Sequence, residues 1–370
     1  MNSFAIFVIY DPKDVVHDYV LHILRELRLY ASKLIVVHNT ESQEISKLEY
    51  VDEVINRNNK GFDAAAYAEV ILKFREEIEK CDELIMTNDT FYGPLDSFDT
   101  MFADMKDASC DYWGITEYPG GAVDNTVIPA HIQSYFLVFR KNVIRKNKFY
   151  EFWKKYSEYR SIKDVIINFE VGLNQYLAEQ GFISSSYAER RGFGKELKKS
   201  DNPYLVFPYK LICEYGIPIL KRKSLDITNP WFCDAVDALL YIRNNMEYDE
   251  KMVVKHIKYL SAIDNKRYLF DYNKLEAFID SHKRVFIYGN GMIAHNLDKY
   301  FELLELPVAE HIVSENMKKG REKSLSDLDL RVGDGIIIAV SSGGIATDIK
   351  ENCMKVFDEV DIVAPNLLVG

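Results

Sequence analysis

Apolar runs of strand length alternate with amphipathic stretches of helix length through the first quarter of the chain, and few folds accommodate that order. Strands are expected at residues 4–10, 34–38, 54–56 and 84–87, with helices at 15–30 and 63–78. The alternation predicts an α/β fold whose mostly parallel sheet is flanked by helices on both faces. Between 111 and 140 the pattern turns aromatic and strand-like, at 112–115 and 132–139, around a loop at 118–129, and these pieces extend or cross the sheet. Two helices follow, at 142–156 and 163–180, the second closed by Gly181 as a C-terminal cap.

At 370 residues, 48% of them hydrophobic, the chain exceeds one typical domain and has enough apolar material for two cores. The stretch 231–281 is charged and periodic and reads as helical. A fresh strand opens at 284–288, followed by Gly289-Asn290-Gly291-Met292-Ile293-Ala294 and an amphipathic helix through Leu304. A second strand (335–340), turn (341–344), helix (to 355) and strand (360–363) repeat the layout. The expected organisation is an α/β domain over 1–235, a helical connector over 236–281 and a small Rossmann-like α/β domain over 282–370.

The formal charge of −11 argues against a general nucleic-acid binder, which needs a basic face. Five scattered cysteines with no Cys-x-x-Cys spacing exclude a zinc ribbon and suit a reducing, cytoplasmic setting. The opening residues 1–10 lack a basic leader and read as a first buried strand, and no segment approaches the length of a membrane span. Membrane contact is therefore expected to be peripheral, at the inner face of the plasma membrane.

Asn88-Asp89-Thr90 follows the buried strand, and Gly93-Pro94 punctuates the loop beyond, so these polar residues belong at the strand's carboxyl end, where α/β sheets collect ligands. An Asp supported by an amide and a hydroxyl suits magnesium or manganese bound with substrate phosphates, as in a nucleotide-sugar diphosphate. An Asx-turn is the alternative. Gly61 and Asp63 precede an Ala-rich helix whose positive end would face a diphosphate, while Asp63 as a simple cap is the plainer reading. His131, Gln133 and Ser134 offer polar groups among aromatic rings, a surface suited to sugar. Glu170 interrupts the apolar stripe of Ile166, Leu173 and Leu177, and partial burial would raise its pKa toward that of a general base. A salt bridge is the alternative for Glu170. Arg190, Arg191, Lys195, Lys198 and Lys199 form one basic cluster and Lys221-Arg222-Lys223 another, available to phosphate or to solvent. Gly289, Gly291 and Ala294 satisfy the dinucleotide fingerprint between a strand and a helix, with Glu310 and Glu315 as candidates for the ribose-binding acid.

The ordered set Asn59-Lys60-Gly61-Phe62-Asp63, Leu84 through Leu95, Asp111 through Glu117, His131 through Phe136, Phe152-Trp153, Glu170-Val171-Gly172-Leu173 and Gly216 through Arg222 resembles the rhamnan synthesis F family over residues 1–235. The resemblance implies a GT-A type glycosyltransferase building bacterial cell-surface polysaccharide, often from dTDP-rhamnose. It implies that Asn88-Asp89-Thr90 stands where that fold has Asp-x-Asp, with Asn88 replacing the first acid. Donor binding then falls to Gly61, Asp63, Asn88, Asp89, Lys221 and Arg222, acceptor binding to His131, Gln133 and Ser134, and inverting transfer to Glu170 as base, with Asp89 holding the cation. The expected partners are a nucleotide-sugar donor, a lipid-linked or oligosaccharide acceptor and other polysaccharide-assembly enzymes. Two other function classes fit parts of the chain. One is an NAD-dependent sugar-modifying oxidoreductase centred on 289–294, although the tail has no Tyr-x-x-x-Lys. The other is a non-catalytic sugar-binding scaffold.

Overall fold

The computed structural model describes residues 2–40, 44–123, 126–154, 159, 161–194, 197–264, 267–308, 310–319, 322–357 and 359–366. The chain divides into two compact units, Met1–Arg222 with Met246–Tyr248, and Lys223–Asn245 with Asp249–Gly370.

The first unit is built on β1 (Ser3–Tyr10), β2 (Lys33–Asn39), β3 (Glu53–Arg57), β4 (Glu83–Asn88), β6 (Tyr112–Gly114), β7 (Phe136–Arg140) and β8 (Ser184–Ser186). They form one seven-stranded sheet in the order β8-β6-β7-β4-β1-β2-β3, in which only β7 runs against its neighbours. The parallel register sets Tyr10 beside Asn39, Asn39 beside Arg57, and Val8 beside Asn88. Four strands thus turn polar along one edge, because each apolar run stops where it leaves the cover of the helices. Helix α1 (Asp18–Arg28) buries Tyr19, Ile23, Leu24 and Leu27. Helix α2 (Phe62–Lys73) buries Ala64, Ala65, Ala66 and Ala68. Its predicted extension to 78 breaks at Phe74, whose ring packs 5.6 Å from Phe4, before a short helix at Arg75–Ile78.

Three sequence expectations changed in detail. The strand expected at 132–139 splits into His131–Ile132 and β7, because the backbone at 133–134 leaves the β6–β7 ladder. The helix expected at 142–156 is two pieces, Lys141–Ile144 and Asn147–Lys154, and its predicted end lies outside the described residues. The helix expected at 163–180 starts with a Ser161–Asp164 capping box, passes through a π-helical turn at Ile166–Val171 and continues as α3 (Gly172–Glu179). The wider turn takes Ile166 off the stripe of Leu173 and Leu177, so Ile166 is exposed while both leucines are buried. Gly181 closes this helix in the left-handed region, at φ +82°.

A short ribbon completes the edge near Asn88. Strand β5 (Phe91–Tyr92) pairs antiparallel with β9 (Leu220–Lys221), placing Lys221 opposite Phe91. The backbones meet so closely that a Cβ on Gly93 would lie 2.6 Å from the Pro218 carbonyl oxygen, and Gly93 has φ +145°, open only to glycine.

The second unit carries helices α4 (Phe232–Asn245), α5 (Lys251–Ile263) and α6 (Tyr272–Ser281), followed by a separate sheet. Its strands β10 (Arg284–Tyr288), β11 (Glu310–Val313), β12 (Lys323–Ser324), β13 (Asp334–Ile338) and β14 (Asp361–Val363) are all parallel, in the order β12-β11-β10-β13-β14. Helices α7 (Met292–Leu303) and α8 (Gly343–Val356) cross between strands. Phe286, Ile312, Ile336 and Ile338 form a core with Ala346, Ile349 and Cys353 of α8.

Gly93→Ala is expected to cost about 1–3 kcal/mol, the usual toll of a side chain in a glycine-only conformation. It should lower the urea midpoint of the chain's first unfolding transition, and an unchanged midpoint would show that the ribbon tolerates a Cβ.

Candidate functional site

The site grows from the end of β4. Asn88 donates from Nδ2 to Asp63 Oδ2 at 2.9 Å, tying the sheet edge to the first turn of α2. Its Oδ1 accepts from the Thr90 amide at 3.2 Å and the Thr90 hydroxyl at 2.6 Å, the Asx-turn arrangement. Asp63 is not the N-cap. That place belongs to Gly61, at φ +75°, and Asp63 instead accepts from the Ala64 amide with its Oδ1. Burial raises the Asp63 pKa, opposed by the Asn88 hydrogen bond and reinforced by the charge of Glu170.

Asp89 faces the other way. Its Oδ2 accepts from Arg222 Nη1 at 3.3 Å and from the Tyr10 amide at 3.4 Å. Its carbonyl oxygen accepts from Tyr19 Oη and Arg222 Nη1, both at 3.1 Å. Burial raises the Asp89 pKa and Arg222 works against it. The two residues expected to ligate a cation therefore present side-chain oxygens to two amides, a hydroxyl and a guanidinium. Among the described residues no group of three His, Cys, Asp or Glu is arranged to hold a metal ion. As placed, these groups serve a cationic side chain and an ordered turn.

Lys221 arrives through the β5–β9 pairing. Its Nζ donates to Thr90 Oγ1 at 2.6 Å and lies 4.2 Å over the ring of Tyr135 and 5.7 Å from that of Tyr204. The side chain keeps a narrow solvent-facing edge but is packed round by protein. Desolvation pushes its pKa down to about 7, against the attraction of Glu170. The lysine is thus poised to lose its proton near neutrality.

Glu170 occupies the π-helical turn and is hydrogen-bonded at both carboxylate oxygens. Its Oε1 accepts from His131 Nε2 at 3.1 Å, and its Oε2 from the Ser134 amide at 2.8 Å and the Ser134 hydroxyl at 2.6 Å. His131 Nδ1 meets the Pro129 carbonyl at 2.8 Å, so both ring nitrogens face acceptors, which suits the imidazolium. Burial raises the Glu170 pKa as the sequence suggested, but His131 and Ser134 overcome it and the net shift is downward. The partner is a histidine, where the sequence alternative was a lysine or arginine. For His131, burial lowers the pKa, but hydrogen bonding and charge from Glu170 raise it overall.

Gln133 belongs to a neighbouring knot. Its Oε1 accepts from Thr116 Oγ1 at 2.7 Å, and Thr116 also meets Tyr204 Oη at 2.5 Å. A cavity of about 570 Å³ opens beside Thr116, lined also by Glu117, Pro119, Ala130 and Glu189. The structure therefore brings Gly61, Asp63, Asn88, Asp89, Lys221 and Arg222 together at one edge, with Glu170, His131 and Ser134 within electrostatic reach. It leaves the Arg190–Arg191 cluster outside. Arg191 is tied to the Tyr215 carbonyl and Asp104, and Lys195 lies outside the described residues. Gly289, Gly291 and Ala294 sit in the second unit. Thr116 and Tyr135 entered the sequence reading only as members of the ordered motifs at 111–117 and 131–136, and Tyr19 and Tyr204 had no sequence signal.

The family model described as rhamnan synthesis protein F matches residues 33–317. The uncharacterized protein y4gN of Sinorhizobium fredii is 26% identical over 193 residues, covering 50% of this chain and 48% of that protein. The chain thus spans about half the length of this curated relative. Among solved structures, the bifunctional IspDF from Campylobacter jejuni is similar over 50% of this chain and 49% of its own, at 11% identity and a TM-score of 0.31.

The Glu170–His131 pair sets a pH window for stability. Glu170, with its pKa depressed, contributes fully above the ordinary carboxylate value of 4.5, and its contribution is lost as pH falls through the folded value. His131, with its pKa raised, contributes fully below 6.5, and its contribution is lost as pH rises through the folded value. Denaturant titrations of wild type and Glu170→Gln should differ most, by about 1–3 kcal/mol, between those two values. A difference independent of pH would contradict the assignment of charge to this pair.

Proposed function

This chain belongs to the rhamnan synthesis protein F family, a family of polysaccharide biosynthesis, and from that premise we propose that it transfers a sugar from a nucleotide donor to a growing surface polysaccharide. The observation that carries this reading is the convergence of a charged carboxylate, Glu170, and a cationic pair, Lys221 and Arg222, on the carboxyl edge of one mostly parallel sheet. Rhamnose from dTDP-rhamnose is the proposed donor sugar, and a lipid-linked or oligosaccharide chain the acceptor. Among the described residues no helix is long and apolar enough to cross a membrane, so a lipid-linked acceptor would be met at the membrane surface.

In the proposed reaction the bond between the anomeric carbon and the diphosphate oxygen breaks, and its electron pair leaves with the nucleoside diphosphate. The acceptor hydroxyl oxygen bonds to the opposite face of that carbon, and its proton passes to Glu170. Protonated Lys221 and Arg222 offset the charge that builds on the leaving diphosphate. Gly61 and the amides opening α2 add the positive end of a helix. A Glu170 held ionised is a weak base. It suffices because the electron-poor anomeric carbon acidifies the attacking hydroxyl as the new bond forms, as in an oxocarbenium-like transition state. Gln133, Ser134 and the cavity beside Thr116 supply an acceptor surface, and partner enzymes of polysaccharide assembly would deliver the acceptor there.

Transfer assays with dTDP-rhamnose test the roles. Lys221→Met is expected to lower kcat/KM for the donor by about 10²–10³-fold, and Glu170→Gln to lower turnover by about 10²–10⁴-fold. Full activity in both variants would remove this edge from the reaction.

Two further measurements separate the cationic pair from a metal. A chelator should leave the rate within about twofold of its starting value, where a metal-dependent enzyme would lose several powers of ten. The free-enzyme parameter kcat/KM should fall as pH rises above about 7, where Lys221 gives up its proton, and Lys221→Arg should move that fall to higher pH. Loss of activity on chelation would assign the diphosphate to a cation instead.

A further inference from the structure

The second unit has a cavity of its own, about 470 Å³, at the carboxyl ends of β10, β11 and β13. That volume falls within the range of small-molecule sites, and the carboxyl edge of a parallel sheet is where such sites form. Three large apolar side chains on its rim are left to solvent: Met292 at 41%, Met317 at 66% and Ile345 at 54%. Surface Met and Ile are unremarkable singly, but three around one cavity make an apolar wall.

The turn after β10 divides its work among three residues. Gly289 is required by the fold itself: it has φ +140°, and a Cβ there would lie 2.8 Å from the Ala339 carbonyl oxygen. Ala294 is fully buried, where helix α7 packs on the sheet. Gly291 does neither. Its backbone is extended, and a Cβ built on it meets no atom within 4 Å, so the protein's own packing does not account for the missing side chain. Gly291 lines the cavity, and α7 and α8 both begin on its wall, at Gly291 and Ser342. Asn290 Nδ2 donates to Glu322 Oε1 at 2.6 Å, which holds the turn in place.

We propose that this cavity binds a nucleoside diphosphate moiety, with the phosphates passing over Gly291 toward the openings of α7 and α8 and the base lying against Met292, Met317 and Ile345. The ribose-binding acid of the usual dinucleotide pattern is missing from this arrangement. Glu310 opens β11 and pairs with Lys323 at 3.0 Å, while Glu315 accepts from Ser324 and Ser326. The residue that follows β11 is Ser314, which lines the cavity, as does Lys319. Recognition therefore rests on the diphosphate and the base more than on a free ribose 2′-hydroxyl.

Calorimetric titration of the full chain with ADP and NAD⁺, neither of which is the donor nucleotide proposed for the first unit, tests the assignment. At least one of the two should bind, with an affinity that Gly291→Val weakens at least about tenfold and that Lys221→Met, in the other unit, leaves unchanged. Gly291→Val should fold normally, since the backbone there is extended and a Cβ meets no atom within 4 Å. Ile345→Asp, on the exposed rim, should give the same loss and carries the test if the valine variant does not fold. Absence of binding at millimolar nucleotide, binding that survives both cavity variants, or binding lost only in Lys221→Met would each overturn the proposal.

Discussion

A carboxylate placed inside a fold must find donors, and in the first unit the demands of Glu170 shape everything around it. Ser134 turns its amide and hydroxyl toward that carboxylate, and the strand that the sequence leads one to expect through 132–139 breaks there as a consequence. His131 supplies the remaining bond, anchored from behind by the Pro129 carbonyl. The helix yields as well, through the π turn that carries Glu170. An unpaired charge at this depth would be costly, so the local irregularities and the ion pair have one cause.

The charge so held is felt across the edge of the sheet. Glu170 stabilises the cationic form of Lys221 while burial opposes it, and Glu170 raises the pKa of Asp63 on the opposite side. Arg222 performs a second balancing role against Asp89, a buried carboxylate that also accepts from the Tyr10 amide. The result is a polar, mutually compensated surface at the ends of four parallel strands. Such a surface suits a ligand that carries its own negative charge, because an added diphosphate would find Lys221 and Arg222 already in place.

Much of this fold was legible because the strands β1, β2, β4 and β10 are continuous apolar runs, and their parallel order follows from the helices between them. Asn88, Asp89 and Glu170 were legible as well, since each puts a polar group where a strand ends or an apolar stripe should continue. The direction of the Glu170 shift was not. It depends on His131 and Ser134, which lie 39 and 36 positions earlier and meet Glu170 only after folding. Lys221 reads in sequence as one of three basic residues, and its desolvation comes from pairing with Phe91 and from two tyrosines remote from it in the chain. The π turn has no signature in residue type at all. It reveals itself only in the exposure of Ile166 beside buried Leu173 and Leu177.

In the proposed reaction this edge exchanges a nucleoside diphosphate for an acceptor hydroxyl at one sugar carbon, on the face opposite the leaving group. The anomeric configuration of the product reports on it most directly. Nuclear magnetic resonance of the oligosaccharide formed from dTDP-rhamnose and an acceptor should show a single new linkage whose configuration is inverted relative to the donor, with one dTDP released for each bond made. Retention of configuration, or release of dTDP without any new linkage, would contradict the account.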